Sequence, residues 1–396
     1  MKCFYNGKIL LKDGIFTDKT VLTENGRIKE IAVLPYNAES YEHAEKIDLH
    51  GNYLLPGFID IHVHGGGGAD FMDGSTEAML TAAKTHLMHG TTTIFPTTMS
   101  AKFGEIENTV KVYRKLLSDK NVAEVFGGLH LEGPFISPKM CGAQRSDLIY
   151  SPTEDMIDAL EKNSDVIARI SCAPEVEGVP EMAKRLHACG VQISMGHTAA
   201  TYEQAEVSSR EGFTSVTHLY SATSGFHKVD QKVHIGVTQA GYGIDDLYVE
   251  LIGDGCHVPK ELLRLVAKLK GVDKICLVTD AMRAAGTDLK ESYLGAICPE
   301  NRVIIDDGVA KLPDKSSFAG SIGTMDRAFR FAVQKAGLGI EEASKMTSLN
   351  QAKLMKIEDK KGSIEIGKDA DFVVLDKNLV VTSVFVKSET RYNRKV

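Results

Sequence analysis

Tryptophan is absent from this chain of 396 residues, no apolar run is long enough to cross a membrane, and no two cysteines form a C-x-x-C pair. A transmembrane helix needs about 20 apolar residues, so we expect no membrane partner. The cysteines are scattered, which is typical of reduced thiols rather than of a disulfide framework. The start of the chain also lacks the apolar segment of a secretory signal. We therefore expect a cytoplasmic protein.

Positive charge is scarce as well. The chain has 46 lysine and arginine residues against 53 aspartate and glutamate residues, a formal net charge of -7. Nucleic acids and anionic membranes attract proteins with a surplus of positive charge, so a small-molecule substrate is the better expectation. The composition, 43% hydrophobic and 25% charged, is ordinary for a globular enzyme. The length fits one large domain with a modest second one.

The pattern of apolar segments predicts an α/β fold of the (β/α)₈ TIM-like barrel type. After about fifty residues of short strands and polar turns, apolar β-branched runs alternate with amphipathic stretches of helical period, which is typical of a parallel sheet. Eight such strands with crossover helices close a barrel. We predict helices at residues 76–89, 179–189 and 202–211, each ending near a glycine. The eight predicted strands are residues 54–63, 91–98, 125–132, 166–173, 191–197, 215–219, 248–254 and 275–280.

Both chain ends have strand character and are predicted to share a small β-sandwich. The N-terminal part includes a strand at residues 28–34, and the C-terminal part includes strands at 361–364 and 371–375. We predict that residues 1–53 and 356–396 form the sandwich domain and that residues 54–355 form the barrel domain. A further β-insertion is predicted near residues 290–313.

Candidate metal ligands follow the predicted barrel strands at the points where they end. Function in such barrels concentrates at this edge, and five of the eight strands end there in histidine or acidic residues. His62 and His64 alternate along one strand, so both side chains point into the barrel. A single histidine is usually a packed core residue, but buried histidines and acids that converge without a cation would be costly to desolvate. The convergent residues are His62, His64, Glu132, His197, His218 and Asp280.

Imidazole and carboxylate ligands suit Zn²⁺, Fe²⁺, Mn²⁺ or Co²⁺. The sequence therefore predicts that each chain binds one or two divalent metal ions. Zinc or iron is the expected ion, and manganese or cobalt is the alternative.

Several motifs carry a resemblance to known proteins. PGFIDIHVH at residues 56–64 resembles the opening motif of the amidohydrolase superfamily, and GSIEIGKDADFV at 362–373 resembles its closing strand pair. Within that superfamily, five further motifs in order resemble the N-acetylglucosamine-6-phosphate deacetylase family. These are HLEGPF at 130–135, MGHT at 195–198, THLY at 217–220, DGCH at 254–257 and TDA at 279–281.

The resemblance implies a division of roles. Glu132, His197 and His218 would hold the main metal, and His62 and His64 could hold a second. Asp280 would act as general base and then general acid in removing an acetyl group from an amino sugar. The family also implies a homodimer. The implied substrate contacts are Ala143, Ser221, Ala222, His257, Phe318, Ala319 and Gly320.

Two positions depart from the family pattern. Ser221 stands where the family has asparagine, and Val229 occupies the position of an arginine that binds the sugar phosphate. Valine cannot replace a bidentate guanidinium. Either Lys228 or Lys232 supplies the charge, across a dimer interface if need be, or the substrate differs from N-acetylglucosamine 6-phosphate.

Three alternatives stay open at this point. The substrate could be N-acetylgalactosamine 6-phosphate or an unphosphorylated N-acetyl amino sugar. The same barrel could also carry out a deamination or hydrolyse another amide, such as an N-acyl amino acid. A non-catalytic scaffold is the alternative from a different class, although such proteins usually lose metal ligands.

Overall fold

A parallel eight-stranded sheet curls into a barrel at the centre of the protein, and the computed structural model describes residues 1–33 and 42–394. The strands follow one another in chain order, and the eighth returns to the first, where the Asp280 amide donates to the His62 carbonyl oxygen at 2.9 Å. Each of the eight predicted strands overlaps one barrel strand, although the bounds differ for all but the second. The barrel strands are Phe58–Val63, Thr91–Thr98, Leu129–Glu132, Ile167–Cys172, Gln192–Met195, Phe213–Val216, Tyr248–Ile252 and Ile275–Val278.

Amphipathic helices connect these strands and cover the outside of the barrel. The three helices predicted from the sequence are confirmed to within one residue, and the glycines after them, Gly90, Gly190 and Gly212, have positive φ angles of 90°, 92° and 109°. No helix among the described residues is long and apolar enough to cross a membrane. The helices between strands are Thr76–Met88, Phe103–Leu116, Lys120–Ala123, Glu154–Lys162, Val179–Ala188, Tyr202–Arg210, Val237–Gly243 and Lys260–Lys270. After the last strand come Met325–Arg330, Ile340–Ser344 and Asn350–Leu354, joined by the π-helical turns Phe331–Lys335 and Lys345–Leu349.

The first predicted barrel strand, residues 54–63, is wrong as a single element. Tyr53–Pro56 pairs in a separate six-stranded sheet, and only Phe58–Val63 belongs to the barrel. Gly57 lies between them, and a Cβ there would come within 2.1 Å of the Thr92 hydroxyl oxygen. The close approach of the second barrel strand thus requires glycine at the point where the chain changes sheets.

Both chain ends meet in two small sheets that pack face to face. Phe4 lies in one sheet, and its ring contacts those of Phe372 and Phe385 in the other, at centroid distances of 5.1 and 4.9 Å. One sheet holds Arg27–Val33, Lys19–Glu24, Lys2–Tyr5 and Glu45–Asp48. The other holds Glu389–Asn393, Val381–Val386, Phe372–Leu375, Tyr53–Pro56, Lys8–Leu11 and Gly14–Phe16.

The strand predicted at 371–375 is thereby confirmed, but the one at 361–364 is wrong. Gly362 has a φ of 91°, and this segment turns closely against Ala352 instead of pairing. Leu34, the last residue of the strand predicted at 28–34, lies outside the described residues. The domain boundaries stay a prediction, and the one after residue 53 falls within the strand Tyr53–Pro56.

The insertion after the eighth barrel strand folds as a three-stranded antiparallel sheet of Glu291–Tyr293, Arg302–Asp306 and Val309–Lys311. Its apolar face packs against Met99 and Met282 of the barrel through Leu294, Val303 and Ala310. This packing brings the insertion to the carboxyl-terminal edge of the barrel.

Two β-hairpins follow barrel strands at the same edge. Gly65–Gly66 and Ala69–Asp70 form a buried pair directly after the first strand. His227–Val229 and Lys232–His234 form an exposed pair after the sixth. Only the second hairpin presents its side chains to solvent.

Candidate metal centre

The six residues predicted from strand ends meet at the carboxyl-terminal edge of the barrel, and all are buried. His62 lies on the first strand and Glu132 ends the third. His197, His218 and Asp280 follow the fifth, sixth and eighth strands in the left-handed region, with φ angles of 49°, 29° and 47°. Backbone strain of this kind gathers at functional sites, where the surrounding structure enforces it.

Three of these side chains form one compact group around a carboxylate oxygen. Oε1 of Glu132 lies 2.9 Å from Nε2 of His218 and 3.2 Å from Nε2 of His197. The two imidazole nitrogens are 3.1 Å apart. Three ligand atoms from three different strands thus converge on one point.

A second group shares Glu132 with the first. Nε2 of His62 lies 3.3 Å from Oε1 of Glu132, and Nε2 of His64 lies 3.4 Å from Oε2. Asp280 faces the same pair, with Oδ1 3.2 Å from Nε2 of His64 and 3.5 Å from Nε2 of His62. Glu132 therefore belongs to both groups of potential metal ligands.

The acidic groups dominate the electrostatics of this cluster. Burial opposes ionisation of Glu132, but the charges of His62 and His197 and hydrogen bonds from His197 and His218 outweigh it and hold the pKa well below the usual range. Burial likewise disfavours the charged form of His64, yet Asp280 and Glu132 raise its pKa to about 9. The cluster attracts positive charge, and a metal cation supplies it without protons.

The hydrogen bonds of two of the four histidines, His197 and His62, match what metal ligation requires. Nδ1 of His197 bonds the Met140 carbonyl oxygen at 2.8 Å, and Nδ1 of His62 bonds the Glu250 carboxylate at 3.1 Å. A proton on Nδ1 leaves the lone pair of Nε2 free to bind a metal. Nε2 of His62 is buried and has no hydrogen-bond partner. The nitrogen and oxygen donors thus fit a divalent transition metal.

A cavity of about 340 Å³ opens onto this cluster. Of the seven predicted substrate contacts, all but one line it. Ala319 does not, because its side chain is fully buried in the apolar cluster between the insertion and the barrel. His257 is oriented by Asp254, which accepts from its Nδ1 at 2.7 Å, and its ring packs on Phe318 at a centroid distance of 4.7 Å. The residues that line it as predicted are Ala143, Ser221, Ala222, His257, Phe318 and Gly320.

Sequence reasoning missed Gln144, whose carboxamide lies in the cavity wall. Its Nε2 donates to Oε2 of Glu132 at 2.9 Å, and its Oε1 accepts from the Ser100 amide at 2.8 Å. The side chain therefore orients the carboxylate that both groups share. It lies in a loop with no periodic pattern, and nothing in the sequence distinguished it from its polar neighbours.

Glu250 and Arg169 were also missed, although the sequence contains a signal. Each is the only charged residue of its buried barrel strand, Tyr248–Ile252 and Ile167–Cys172. They form a salt bridge beneath the metal cluster, and both side chains are completely buried. A lone charge in an apolar strand calls for a partner, and this observation could have identified the pair.

The cavity has no lysine or arginine among the described residues that line it. Lys228 and Lys232 lie on the exposed hairpin, outside the cavity wall, and Val229 and Val233 of that hairpin are about half exposed. Within one chain, the cavity therefore offers histidine, hydroxyl and amide groups to a substrate, and no permanent cation.

Comparison with known proteins shows extensive similarity. The profile of the Amidohydrolase family matches residues 53–391. The chain is 35% identical to N-acetylglucosamine-6-phosphate deacetylase of Lysinibacillus sphaericus, with 91% of this chain and 90% of the relative covered. It is 34% identical to the enzyme of that name from Haemophilus influenzae, with 98% of each covered. The crystal structure of N-acetylglucosamine-6-phosphate deacetylase from Pasteurella multocida superposes with a TM-score of 0.91 at 31% identity, over 99% of this chain and 100% of the other.

Proposed function

The chain belongs to the amidohydrolase family and, within it, to the N-acetylglucosamine-6-phosphate deacetylases, and from that membership we propose that it hydrolyses the N-acetyl group of N-acetylglucosamine 6-phosphate. The products are acetate and glucosamine 6-phosphate. The observation that carries the proposal is the meeting of Glu132, His197 and His218 beside Asp280 at the floor of a sugar-sized cavity.

The metal would be held by Glu132, His197 and His218, and His62 and His64 with Glu132 could hold a second ion. When bound, such a cation lowers the pKa of a water toward about 7 and offsets negative charge on the carbonyl oxygen. Zinc or iron fits the nitrogen-rich ligand set better than manganese or cobalt. Metal analysis of the purified protein tests this assignment. Less than about 0.1 ion per chain after metal-supplemented growth would favour a scaffold.

Asp280 moves the protons of the reaction. Its carboxylate faces the cavity beside His64 and can accept a proton from the attacking water at one oxygen. The same oxygen then returns the proton to the departing amine, so one carboxylate serves as base and acid in turn. Its main chain is fixed by the bond from its amide to the His62 carbonyl oxygen, which keeps the carboxylate aimed at the cluster.

The remaining cavity residues bind the sugar. His257 offers a ring held by Asp254, and Phe318 supplies an apolar surface beside it. Ser221 and Ala222 form part of a turn in which Ala222 has a φ of 47°, and both residues line the cavity. Ala143 and Gly320 leave room because neither has a bulky side chain.

The direct test measures acetate release from N-acetylglucosamine 6-phosphate. We expect turnover by the metal-loaded protein, loss of turnover after chelation, and recovery when the metal is restored. Metal-loaded protein that releases no acetate from any N-acetyl amino sugar would refute the proposal.

A second candidate substrate is an unphosphorylated N-acetyl amino sugar, and the lack of lysine and arginine in the cavity wall favours it. Comparison of kcat/KM for N-acetylglucosamine 6-phosphate and N-acetylglucosamine separates the two. A large preference for the phosphate would mean that a cation reaches the cavity from elsewhere, such as Lys228 or Lys232 of a second subunit in a homodimer. Equal values would remove the phosphate from the substrate description.

A further inference from the structure

A charged pair occupies the barrel interior directly beneath the metal cluster. The guanidinium of Arg169 on the fourth strand contacts the carboxylate of Glu250 on the seventh, and neither side chain is exposed. Barrel interiors are normally filled by branched apolar residues. A buried ion pair is often no more stabilising than an apolar pair of similar volume. Stability alone therefore does not explain why these two residues are charged.

The other oxygen of Glu250 faces two candidate metal ligands. Oε2 lies 3.1 Å from Nδ1 of His62, and it accepts from the main-chain amide of His218 at 3.2 Å. His62 belongs to one cluster and His218 to the other. A single carboxylate oxygen thus contacts the ring of one ligand and the backbone of another, on the first and sixth strand ends.

The Glu250 contact decides which nitrogen of His62 is available. An acceptor at Nδ1 requires the proton there, so the Nε2 lone pair points toward Glu132 and Asp280. Nδ1 of His64 and Nδ1 of His218 have no such partner. Of the two histidines in the second group, His62 and His64, it is therefore His62 whose ring is oriented by a carboxylate at Nδ1.

Arg169 holds the carboxylate in this orientation. Its second guanidinium nitrogen donates to Oγ of Ser194 at 2.8 Å and to Oγ of Ser215 at 3.3 Å, which anchors it to the fifth and sixth strands. The other terminal guanidinium nitrogen, Nη1, faces Glu250. The arginine thus spans the barrel floor and leaves Glu250 little freedom to turn away from His62.

We propose that Glu250 is a positioning residue of the metal centre, which fixes the ring of His62 and the backbone of His218, and that Arg169 keeps it in place. The inference rests on the proposed metal-dependent function. Carboxylates that orient ligating histidines typically contribute 10- to 100-fold to metal affinity, and we expect an effect of about that size here.

The test uses two double variants that differ only in the hydrogen-bond acceptor. Both avoid a lone buried charge, because R169M removes the arginine in each. R169M/E250L offers His62 no acceptor, whereas R169M/E250Q offers a carboxamide oxygen. Dissociation constants for Zn²⁺ are measured by competition with a chromophoric chelator. We expect R169M/E250L to bind roughly 10- to 100-fold more weakly than the wild type, and R169M/E250Q to recover part of that loss.

Asp326→Asn is the matched control. Asp326 is also a buried carboxylate that joins a histidine, His89, and an arginine, Arg330, but none of the three lines the cavity. This variant should lower the melting temperature of the metal-free protein and leave the zinc dissociation constant within about twofold of the wild type. A second measurement needs no substitution: nitrogen-15 spectra of histidine-labelled, zinc-loaded protein should show His62 protonated at Nδ1.

The outcomes separate the two proposals. If the wild type binds neither zinc nor iron, the metal-dependent function fails. If the wild type binds zinc and R169M/E250L binds it equally well, Glu250 merely neutralises Arg169 and the positioning role is overturned. A zinc-loaded wild type with His62 protonated at Nε2 would overturn it as well.

Discussion

Asp280→Asn is the substitution that most directly tests the chemistry. Asparagine has nearly the same shape as aspartate and readily adopts a positive φ, so the φ of 47° at this position poses no obstacle. The amide keeps an oxygen beside Nε2 of His64, where Oδ1 lies at 3.2 Å, but it can neither take a proton from water nor return one to an amine. The substitution thus removes proton transfer and leaves the packing of the side chain nearly unchanged.

The expected loss follows from the two roles of this carboxylate. Positioned acid–base catalysis typically contributes about 10²- to 10⁴-fold, which corresponds to roughly 3 to 5 kcal/mol in the barrier. Because Asp280 is proposed to serve both the attack of water and the departure of the amine, we expect kcat to fall toward the upper end of that range. Metal should stay bound, since Glu132, His197 and His218 are unchanged and form a complete group without Asp280.

The assay follows acetate release at saturating N-acetylglucosamine 6-phosphate, together with metal content and melting temperature of the same samples. Asp326→Asn, the same substitution at a buried carboxylate outside the cavity, should keep kcat near the wild-type value. If metal-loaded Asp280→Asn retained kcat within tenfold of the wild type, the proton-shuttle role would be refuted.

Three further predictions concern the metal, the substrate and the fold. Glu132→Gln should lose most bound metal in elemental analysis, because Glu132 is shared by both clusters. His257→Ala should raise KM about tenfold with a smaller change in kcat, as expected for loss of one binding contact. Burial lowers the pKa of His86 to about 4 from 6.5, so its contribution to stability is complete above pH 6.5 and declines as the pH falls to about 4. The unfolding free energy should lose roughly 3 kcal/mol over that window, and chemical denaturation of His86→Gln should show a shallower decline.

The sequence was informative wherever a strand pattern ended in a chemically distinctive residue. His62 and His64 share a face because strand side chains alternate, and parallel strands bring Glu132, His197 and His218 to the same edge whatever their separation in the chain. The helices were predictable for a related reason, since their period of 3.6 residues ends at glycines such as Gly90 that can take positive φ. These features depend on local periodicity and on the rule that the carboxyl-terminal ends of all barrel strands meet at one edge.

Features that depend on contacts between distant segments were not predictable. The chain changes sheets at Gly57 because Thr92 approaches from the next strand, and the apolar pattern on either side of Gly57 is continuous. Ala319 sits next to two cavity residues, yet its side chain turns into the insertion's apolar cluster. Glu250 has no role until the barrel closes and brings His62, 188 residues away in the chain, to its carboxylate.

The proposed chemistry and the proposed substrate recognition use different parts of the chain. The proposed metal and proton chemistry uses strand ends that the closed barrel holds rigidly, such as Glu132, His218 and Asp280. The proposed substrate contacts lie in loops that line the cavity, such as those with Phe318 and Ser221. Changes such as serine at 221 or valine at 229 can therefore alter which sugar is accepted without moving a metal ligand. A substitution at either position should therefore change the ratio of kcat/KM for phosphorylated and unphosphorylated N-acetylglucosamine while the metal content stays the same.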